Sequence, residues 1–206
     1  GLGRPTGIEL KDESGGLVPS VAWKRRRFKQ PWHRGESVIT AIGQGYTLVT
    51  PVQMAKVMAA VVNGGKVMTP RLLASTPQRL EMNLNIPKEE LDTIKEGLRA
   101  VVDSEMGTAR VIKDQMFSIG GKTGTAEVAK GYTSKLPDES DIPFKFRDHA
   151  WFFGFSPVEN PEILVVAVLE HGGHGASIAA PIVRDVIKGY YYSKGLSDEQ
   201  VRQDSQ

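Results

Sequence analysis

The chain has 206 residues, 40% of them apolar and 24% charged, with a formal net charge of +2. These values are ordinary for a globular domain, so they exclude a wholly disordered, collagenous or coiled-coil chain, and the charge alone indicates no polyanionic partner. Cysteine is absent, which excludes disulfides, thiolate zinc sites and a cysteine nucleophile.

The first fifty residues are rich in Gly, Pro and Ser and show no sustained 3.6-residue period. This composition predicts irregular structure with short strands. The opening residues, Gly1-Leu2-Gly3-Arg4-Pro5, carry neither an initiator Met nor a signal peptide, so we expect a piece of a longer protein. The longest apolar run, Ile163–Leu169, is far shorter than the ~18–20 residues that span a bilayer, so we expect no membrane anchor in this sequence.

The first clear helix is predicted after Thr50, a favourable N-cap. Pro51 suits the first helical position, and Gly64-Gly65 predicts the end. The apolar residues expected to form its buried stripe are Val52, Ala55, Met58, Ala59 and Val62.

A second helix is predicted to begin near Pro87, after a hairpin around Met68 to Leu73. Glu89 and Glu90 in its first turn suit the positive end of the helix dipole. The residues expected to be buried are Leu91, Ile94, Leu98 and Val101.

The pattern then changes to the period of two that is typical of strands, over residues 116–128, 150–156 and 162–170. A final helix is predicted from Ala179 to Tyr192, and its expected inner face carries Ile182, Val183, Val186, Ile187 and Tyr190. Helices followed by sequential strands and a closing helix indicate an α+β fold, an antiparallel sheet packed with helices. The long segment 129–149 is interpreted either as a lid over a cleft or as a simple insertion.

The most informative segment reads SIGGKTGTA over residues 118–126. Glycine within a strand marks close approach of another backbone or a ligand, and a lysine flanked by hydroxyls makes a small anion-binding ledge. A phosphate-binding loop would need glycine at position 116, which is Met116, and a helix directly afterwards. Two interpretations stay open, a strand with a merely solvated Lys122 and the Lys-Thr-Gly motif of serine acyl transfer.

Four motifs in order carry a family resemblance. They are Gly3-Arg4-Pro5-Thr6-Gly7-Ile8, Ile42-Gly43-Gln44-Gly45-Tyr46 with Val49-Thr50-Pro51-Val52-Gln53-Met54-Ala55, Gly121-Lys122-Thr123-Gly124-Thr125-Ala126, and Asp148-His149-Ala150-Trp151-Phe152. On these motifs, residues 1–192 resemble the C-terminal part of the transpeptidase domain of class B penicillin-binding proteins, most closely the elongation type. Residues 193–206 are expected to form a polar tail.

The resemblance implies a partial penicillin-binding protein transpeptidase fold, related to serine β-lactamases, and a D,D-transpeptidase that is acylated by peptidoglycan stem peptides or by β-lactams. It implies no cofactor and no metal. By the same resemblance, Lys122 is a cation beside the catalytic hydroxyls, and Thr123 and Thr125 bind the terminal carboxylate. The Thr125 backbone N–H is half of the oxyanion hole, and Gly124 leaves room for an extended peptide.

The sequence departs from the family pattern slightly at Glu127, where the family often has Gln, and decisively at the nucleophile. None of its serines is followed by lysine three residues later, and no Ser-x-Asn occurs. We therefore expect the nucleophile and its lysine base to lie upstream of Gly1, and the chain alone to be inactive. The parent protein is expected outside the cytoplasmic membrane, anchored by an N-terminal segment and working with a membrane glycosyltransferase of the elongation complex. D,D-carboxypeptidase, serine β-lactamase and a non-catalytic binding module remain alternatives.

Two other segments contain residue patterns that are typical of binding sites. Residues 23–34 read WKRRRFKQPWHR, with six Lys or Arg residues, three aromatics and no acidic residue. A solvated face, contact with anionic envelope lipid or glycan, and single-stranded nucleic acid are all compatible with it, and we expect no nucleic-acid partner. His171 and His174, with His149, suggest a metal site, but a tight turn between the last strand and the final helix is the preferred interpretation.

Overall fold

The computed structural model describes residues 1–128 and 142–195. By its internal contacts the chain forms two compact units, Gly1–Val57 with Val67–Asn83 and Met58–Lys66 with Leu84–Gln206. Across the described ranges, no helix is both long and apolar enough to cross a membrane.

The N-terminal region contains two short helices and the start of a longer one, followed by a small sheet. In chain order the elements are α1 (Val21–Phe28), α2 (Arg34–Ala41), α3 (Pro51–Val62), β1 (Lys66–Met68) and β2 (Leu80–Asn83). β1 and β2 pair as a two-stranded sheet. The hairpin predicted around residues 68–73 is therefore wider than expected, because the paired strands are separated by residues 69–79.

The prediction of irregular structure over residues 1–50 was wrong for α1 and α2. Each helix has only eight residues, and end interactions stabilise both. The Ser20 side chain accepts a hydrogen bond from the Trp23 N–H at 3.1 Å, and Glu36 accepts one from the His33 N–H at 2.7 Å. Such short helices carry too few turns for periodicity to show, and caps together with tertiary contacts hold them instead.

The predicted ends of α3 are confirmed, but of the five residues of its predicted buried stripe only Val62 is buried. Thr50 and Gln53 form reciprocal hydrogen bonds between side chain and backbone, at 3.2 and 2.9 Å, which is a capping-box arrangement. The fully buried positions of α3 include the polar residues Gln53 and Lys56, whereas Val52 and Ala55 are only half-buried. The Gln53 amide donates to the carbonyls of Arg4 and Gly15, both at 2.8 Å, so its burial leaves no donor unsatisfied.

The second unit is built around an antiparallel sheet. Its elements are α4 (Lys88–Asp103), a 3₁₀ helix (Arg110–Ile112), β3 (Gly120–Ala126), a second 3₁₀ helix (Phe144–Phe146), β4 (His149–Ser156), β5 (Ile163–Leu169) and α5 (Ala179–Ser193). The strand order is β3-β4-β5, both neighbouring pairs are antiparallel, and β3 lies at one edge. The predicted α+β arrangement is confirmed, although β3 is shorter than the strand predicted over residues 116–128.

The core of this unit lies between the sheet and its helices. The buried residues of its larger cluster are Val102, Ala109, Ile112, Phe117, Ile119, Ala150, Phe152, Ala179, Ala180, Val183, Ile187 and Tyr191. Three residues that the sequence places inside are exposed, with 44% of Ile94, 42% of Ile182 and 47% of Val186 accessible. Ala179 and Ala180 are fully buried, so small side chains at the start of α5 set its close approach and turn the inner face away from Ile182.

Candidate active site

Strand β3 carries the segment that the sequence analysis singled out. Its register with β4 pairs Lys122 with Phe153, Thr123 with Phe152 and Gly124 with Trp151. Directly paired residues of an antiparallel sheet place their side chains on the same face. Lys122 and Gly124 therefore share one face with Trp151, and Thr123 and Thr125 share the opposite one.

Packing within the sheet explains two of the β3 glycines. A Cβ on Gly120 would lie 2.6 Å from the Phe155 ring, and one on Gly121 would lie 2.4 Å from the Phe153 carbonyl oxygen. Of the two alternatives for strand glycines, close approach of other protein atoms therefore accounts for Gly120 and Gly121. At Gly124 the nearest contact of an added Cβ would be the Trp151 Cβ at 3.2 Å, which is tight but leaves this position the least crowded of the three.

Lys122 is exposed at this edge. Its Nζ donates to the Thr123 carbonyl oxygen at 2.9 Å and contacts the Thr123 hydroxyl at 3.5 Å. Throughout the parts of the chain that the structure describes, no carboxylate lies within ion-pairing distance of this ammonium. A cation without a neutralising carboxylate, next to a hydroxyl, is suited to bind a carboxylate from outside.

Thr108 is a member of this site that sequence reasoning missed. Its Oγ1 lies 3.2 Å from the Thr123 Oγ1, and either hydroxyl can be the donor. Thr108 belongs to the turn between α4 and the first 3₁₀ helix, which is held closely: the Ala109 N–H donates to the Val101 carbonyl at 2.9 Å, and a Cβ on Gly107 would lie 2.5 Å from that oxygen. The only signal in the sequence is a turn glycine followed by a hydroxyl residue.

The entry to β3 is anchored by a polar cluster. The Ser118 hydroxyl donates to the Glu159 carboxylate at 2.9 Å and accepts from the Val158 N–H at 3.0 Å, and Arg99 pairs with the same carboxylate. Burial acts to raise the pKa of Glu159, but hydrogen bonds from its own N–H and from Ser118, with the charge of Arg99, lower the pKa overall. Glu159 is thus ionised near neutral pH and holds the strand entry against α4.

His171 and His174 lie between β5 and α5, where the preferred turn interpretation puts them, whereas His149 is the first residue of β4. The His171 N–H donates to the His149 Nδ1 at 2.9 Å, and the two rings lie edge to face with centroids 4.8 Å apart. His171 and Gly173 both have positive φ, 56° and 76°. Within residues 1–128 and 142–195, no group of three His, Cys, Asp or Glu residues is placed to hold a metal ion. Most of the segment interpreted as a lid or an insertion, residues 129–141, lies outside the described residues.

Much of the basic segment 23–34 is engaged internally. The Trp23 ring packs against Phe28 and Tyr46, with centroids 5.6 and 5.1 Å away, and the buried Lys24 ammonium pairs with Glu36. Two aromatic rings and one cation are therefore partly or wholly used in holding the unit together. The three arginines of α1 that follow Lys24 remain exposed, which is compatible with a solvated face.

Comparison with known proteins relates this geometry to a family. The protein-family model described as the penicillin binding protein transpeptidase domain matches residues 1–188 of this chain. The peptidoglycan D,D-transpeptidase MrdA of Haemophilus influenzae is 36% identical, over 95% of this chain and 32% of its own length. MrdA of Escherichia coli K12 is 32% identical, over 91% of this chain and 31% of its own. This chain thus spans about a third of the length of these curated relatives.

Solved structures agree with this assignment. The Helicobacter pylori PBP2 in complex with MreC superposes with a TM-score of 0.82 at 32% identity, covering 95% of this chain and 34% of that one. The Pseudomonas aeruginosa PBP2 in complex with WCK 5153 gives 0.78 at 32% identity, covering 92% and 41%. The chain belongs to the family of penicillin-binding protein transpeptidase domains, and the predicted resemblance to its elongation type is confirmed.

Proposed function

We propose that this chain forms the carboxylate-binding wall of a peptidoglycan D,D-transpeptidase, which cross-links stem peptides through a serine acyl-enzyme and is acylated by β-lactams. One observation carries the proposal: the exposed Lys122 ammonium, beside the Thr123 hydroxyl on an edge strand, has no carboxylate partner among the described residues. Carboxylates are common to the end of a stem peptide and to β-lactams. The names of the relatives favour transpeptidation over a carboxypeptidase or β-lactamase activity.

The residue roles follow from the family motif and the β3 geometry. Lys122 provides the positive charge beside the reacting hydroxyls, and Thr123 and Thr125 hydrogen-bond the carboxylate of the ligand. The Thr125 backbone N–H stabilises the negative charge that develops on the acyl oxygen. The extended ligand lies alongside the bare backbone at Gly124, as a strand added to the edge of the sheet.

The acylated serine is not provided by these residues. No serine of the 206 is followed by lysine at the third position, so the hydroxyl that attacks the carbonyl has to come from polypeptide outside them. We infer that the opposite wall of the ligand-binding cleft also comes from polypeptide outside these residues. We therefore infer that residues 1–206 bind part of the ligand but do not form the acyl-enzyme by themselves.

The cellular setting proposed for the whole protein is the cell envelope. Peptidoglycan substrates lie outside the cytoplasmic membrane, so we propose a periplasmic domain with an N-terminal anchor and a role in cell shape. The likeness to a PBP2 that binds MreC supports assembly into an elongation complex. A membrane glycosyltransferase, which polymerises the glycan strands that the transpeptidase cross-links, is the further partner that we propose.

The proposal is tested by labelling with a fluorescent penicillin. We expect the full-length protein to be labelled and the isolated 206-residue chain to stay unlabelled. Lys122→Ala in the full-length protein should slow labelling about 10- to 100-fold, which corresponds to losing hydrogen bonds to a charged group. Lys11→Ala, at another exposed lysine, is the matched control and should leave the rate unchanged. Labelling of the isolated chain, or an unchanged rate in Lys122→Ala, would contradict the proposal.

A further inference from the structure

Two polar groups, one ammonium and one hydroxyl, lie close to the hydroxyl of Thr123. The Lys122 Nζ lies 3.5 Å from the Thr123 Oγ1, and the Thr108 Oγ1 lies 3.2 Å from the same atom. A threonine hydroxyl has one proton to donate and two lone pairs to accept with, whereas an ammonium can only donate. The direction in which the Thr123 proton points therefore depends on what Thr108 does.

We propose that Thr108 is a positioning residue, whose hydroxyl donates to Thr123 and thereby directs the Thr123 proton towards the carboxylate of the ligand. With Lys122 on one lone pair and Thr108 on the other, Thr123 can only donate outward. Hydrogen bonds in such a chain strengthen one another, so the outward bond to a carboxylate gains as well. This inference rests on the proposed function and adds a residue to it that the Lys-Thr-Gly motif does not contain.

The fold holds Thr108 where this role requires it. The N–H of Ala109, which is fully buried, donates to the Val101 carbonyl near the end of α4, and Gly107 fits against the same carbonyl only because it lacks a Cβ. The Thr108 side chain is itself exposed, so it lies at the surface where a ligand would bind. A residue held rigidly by its neighbours, with a hydroxyl at an open edge, is typical of an oriented polar contact.

The test uses the full-length protein and two ligands, a penicillin with a free carboxylate and its methyl ester. Thr108→Val keeps the shape of the side chain and removes the hydroxyl. We expect the second-order rate of acylation by the free acid to fall about three- to ten-fold, the effect of one neutral hydrogen bond, while the slow reaction with the ester is unchanged. Thr108→Ser, which restores the hydroxyl, should recover the rate with the free acid.

Two further variants separate this inference from the proposed function. The double variant Thr108→Val with Thr123→Val should be acylated by the free acid no more slowly than Thr123→Val alone, because Thr108 acts through Thr123. Thr93→Val removes another exposed hydroxyl, one that donates to the Glu89 carbonyl at 2.8 Å on α4, and should not change the rate.

Other results would contradict either the positioning role of Thr108 or the carboxylate site itself. If Thr123→Val slows the free acid but Thr108→Val does not, or if Thr108→Val slows acid and ester equally, the positioning role is wrong and the carboxylate site stands. If neither Lys122→Ala nor Thr123→Val slows acylation by the free acid, the proposed carboxylate site itself is wrong.

Discussion

Gly175 lies so close to Trp151 that a Cβ on residue 175 would be 2.2 Å from the Trp151 carbonyl oxygen. The Cβ of residue 175 would also lie 2.7 Å from the carbonyl oxygen of Gly124 on β3. The loop between β5 and α5 therefore packs directly on the backbone of β3 and β4 beside the candidate site. A side chain at residue 175 would fit only if the backbone of β3 or β4 shifted. Backbone in a sheet shifts less easily than the end of a flexible side chain.

Gly175→Ala should accordingly lower the free energy of unfolding by about 2 kcal/mol through overpacking, and slow the acylation of the full-length protein by penicillin. The matched control is Gly189→Ala in α5, where an added Cβ meets no atom within 4 Å. That change should stabilise the protein by about 1 kcal/mol, because alanine is the better helix former. Urea unfolding of both variants measures the two effects, and a Gly175→Ala variant as stable as the control would contradict the close packing.

The Lys56 ammonium is buried on α3 and pairs with Glu81, and it also donates to the Thr6 carbonyl at 3.2 Å. Lys56→Met should lower the free energy of unfolding by about 3 kcal/mol, since it leaves the Glu81 carboxylate only the exposed Arg4, 3.9 Å away, as a cation partner. Replacing both residues, as in Lys56→Met with Glu81→Leu, should restore most of the loss because no unpaired charge remains. Chemical denaturation measures the free energy of unfolding of the single and the double variant. Equal destabilisation of both would show that the unpaired Glu81 charge is not the cause of the loss.

Acid should destabilise the N-terminal unit. The hydrogen bond from the Thr6 hydroxyl lowers the pKa of Glu13, and the hydrogen bond from the His33 N–H lowers the pKa of Glu36. A carboxylate whose folded-state pKa is below its ordinary value of 4.5 binds fewer protons folded than unfolded. Its stabilising contribution is therefore complete above pH 4.5 and lost as the pH falls through the folded-state pKa.

We expect the urea midpoint to fall as the pH is lowered from 5 to 3, and Glu13→Gln to make that decline shallower. Glu127→Gln is the control, at an exposed carboxylate on the other unit. A wild-type midpoint that is constant over this range, or an equal change in both variants, would be inconsistent with protonation of Glu13.

The inner face of α5 gives a paired test of the core. Ile187 is fully buried, whereas 42% of Ile182 is exposed although both residues lie on the face predicted from periodicity. Ile187→Ala should cost about 3 kcal/mol, and Ile182→Ala about 0.5 kcal/mol. Thermal unfolding compares them directly, and similar losses at the two positions would contradict the observed orientation of the helix.

Periodicity and end signals in the sequence located the longer elements well. Thr50, Pro51 and the glycine pair after α3 predicted both ends of that helix, because capping is a local interaction between near neighbours. The alternating strands and the SIGGKTGTA segment likewise led to β3 and to Lys122. The order of the motifs alone was enough to identify the family.

What only the tertiary structure decided depends on atoms distant in the sequence. The burial of Gln53 and Lys56 follows from partners 25 to 50 residues away, such as Glu81 and Thr6, which no local pattern shows. The contact of Thr108 with Thr123 joins a turn to a strand 15 residues later, and it exists only because α4 and β3 pack together. Local sequence thus determined the longer elements and the motif of the candidate site, whereas long-range packing determined which polar groups face one another.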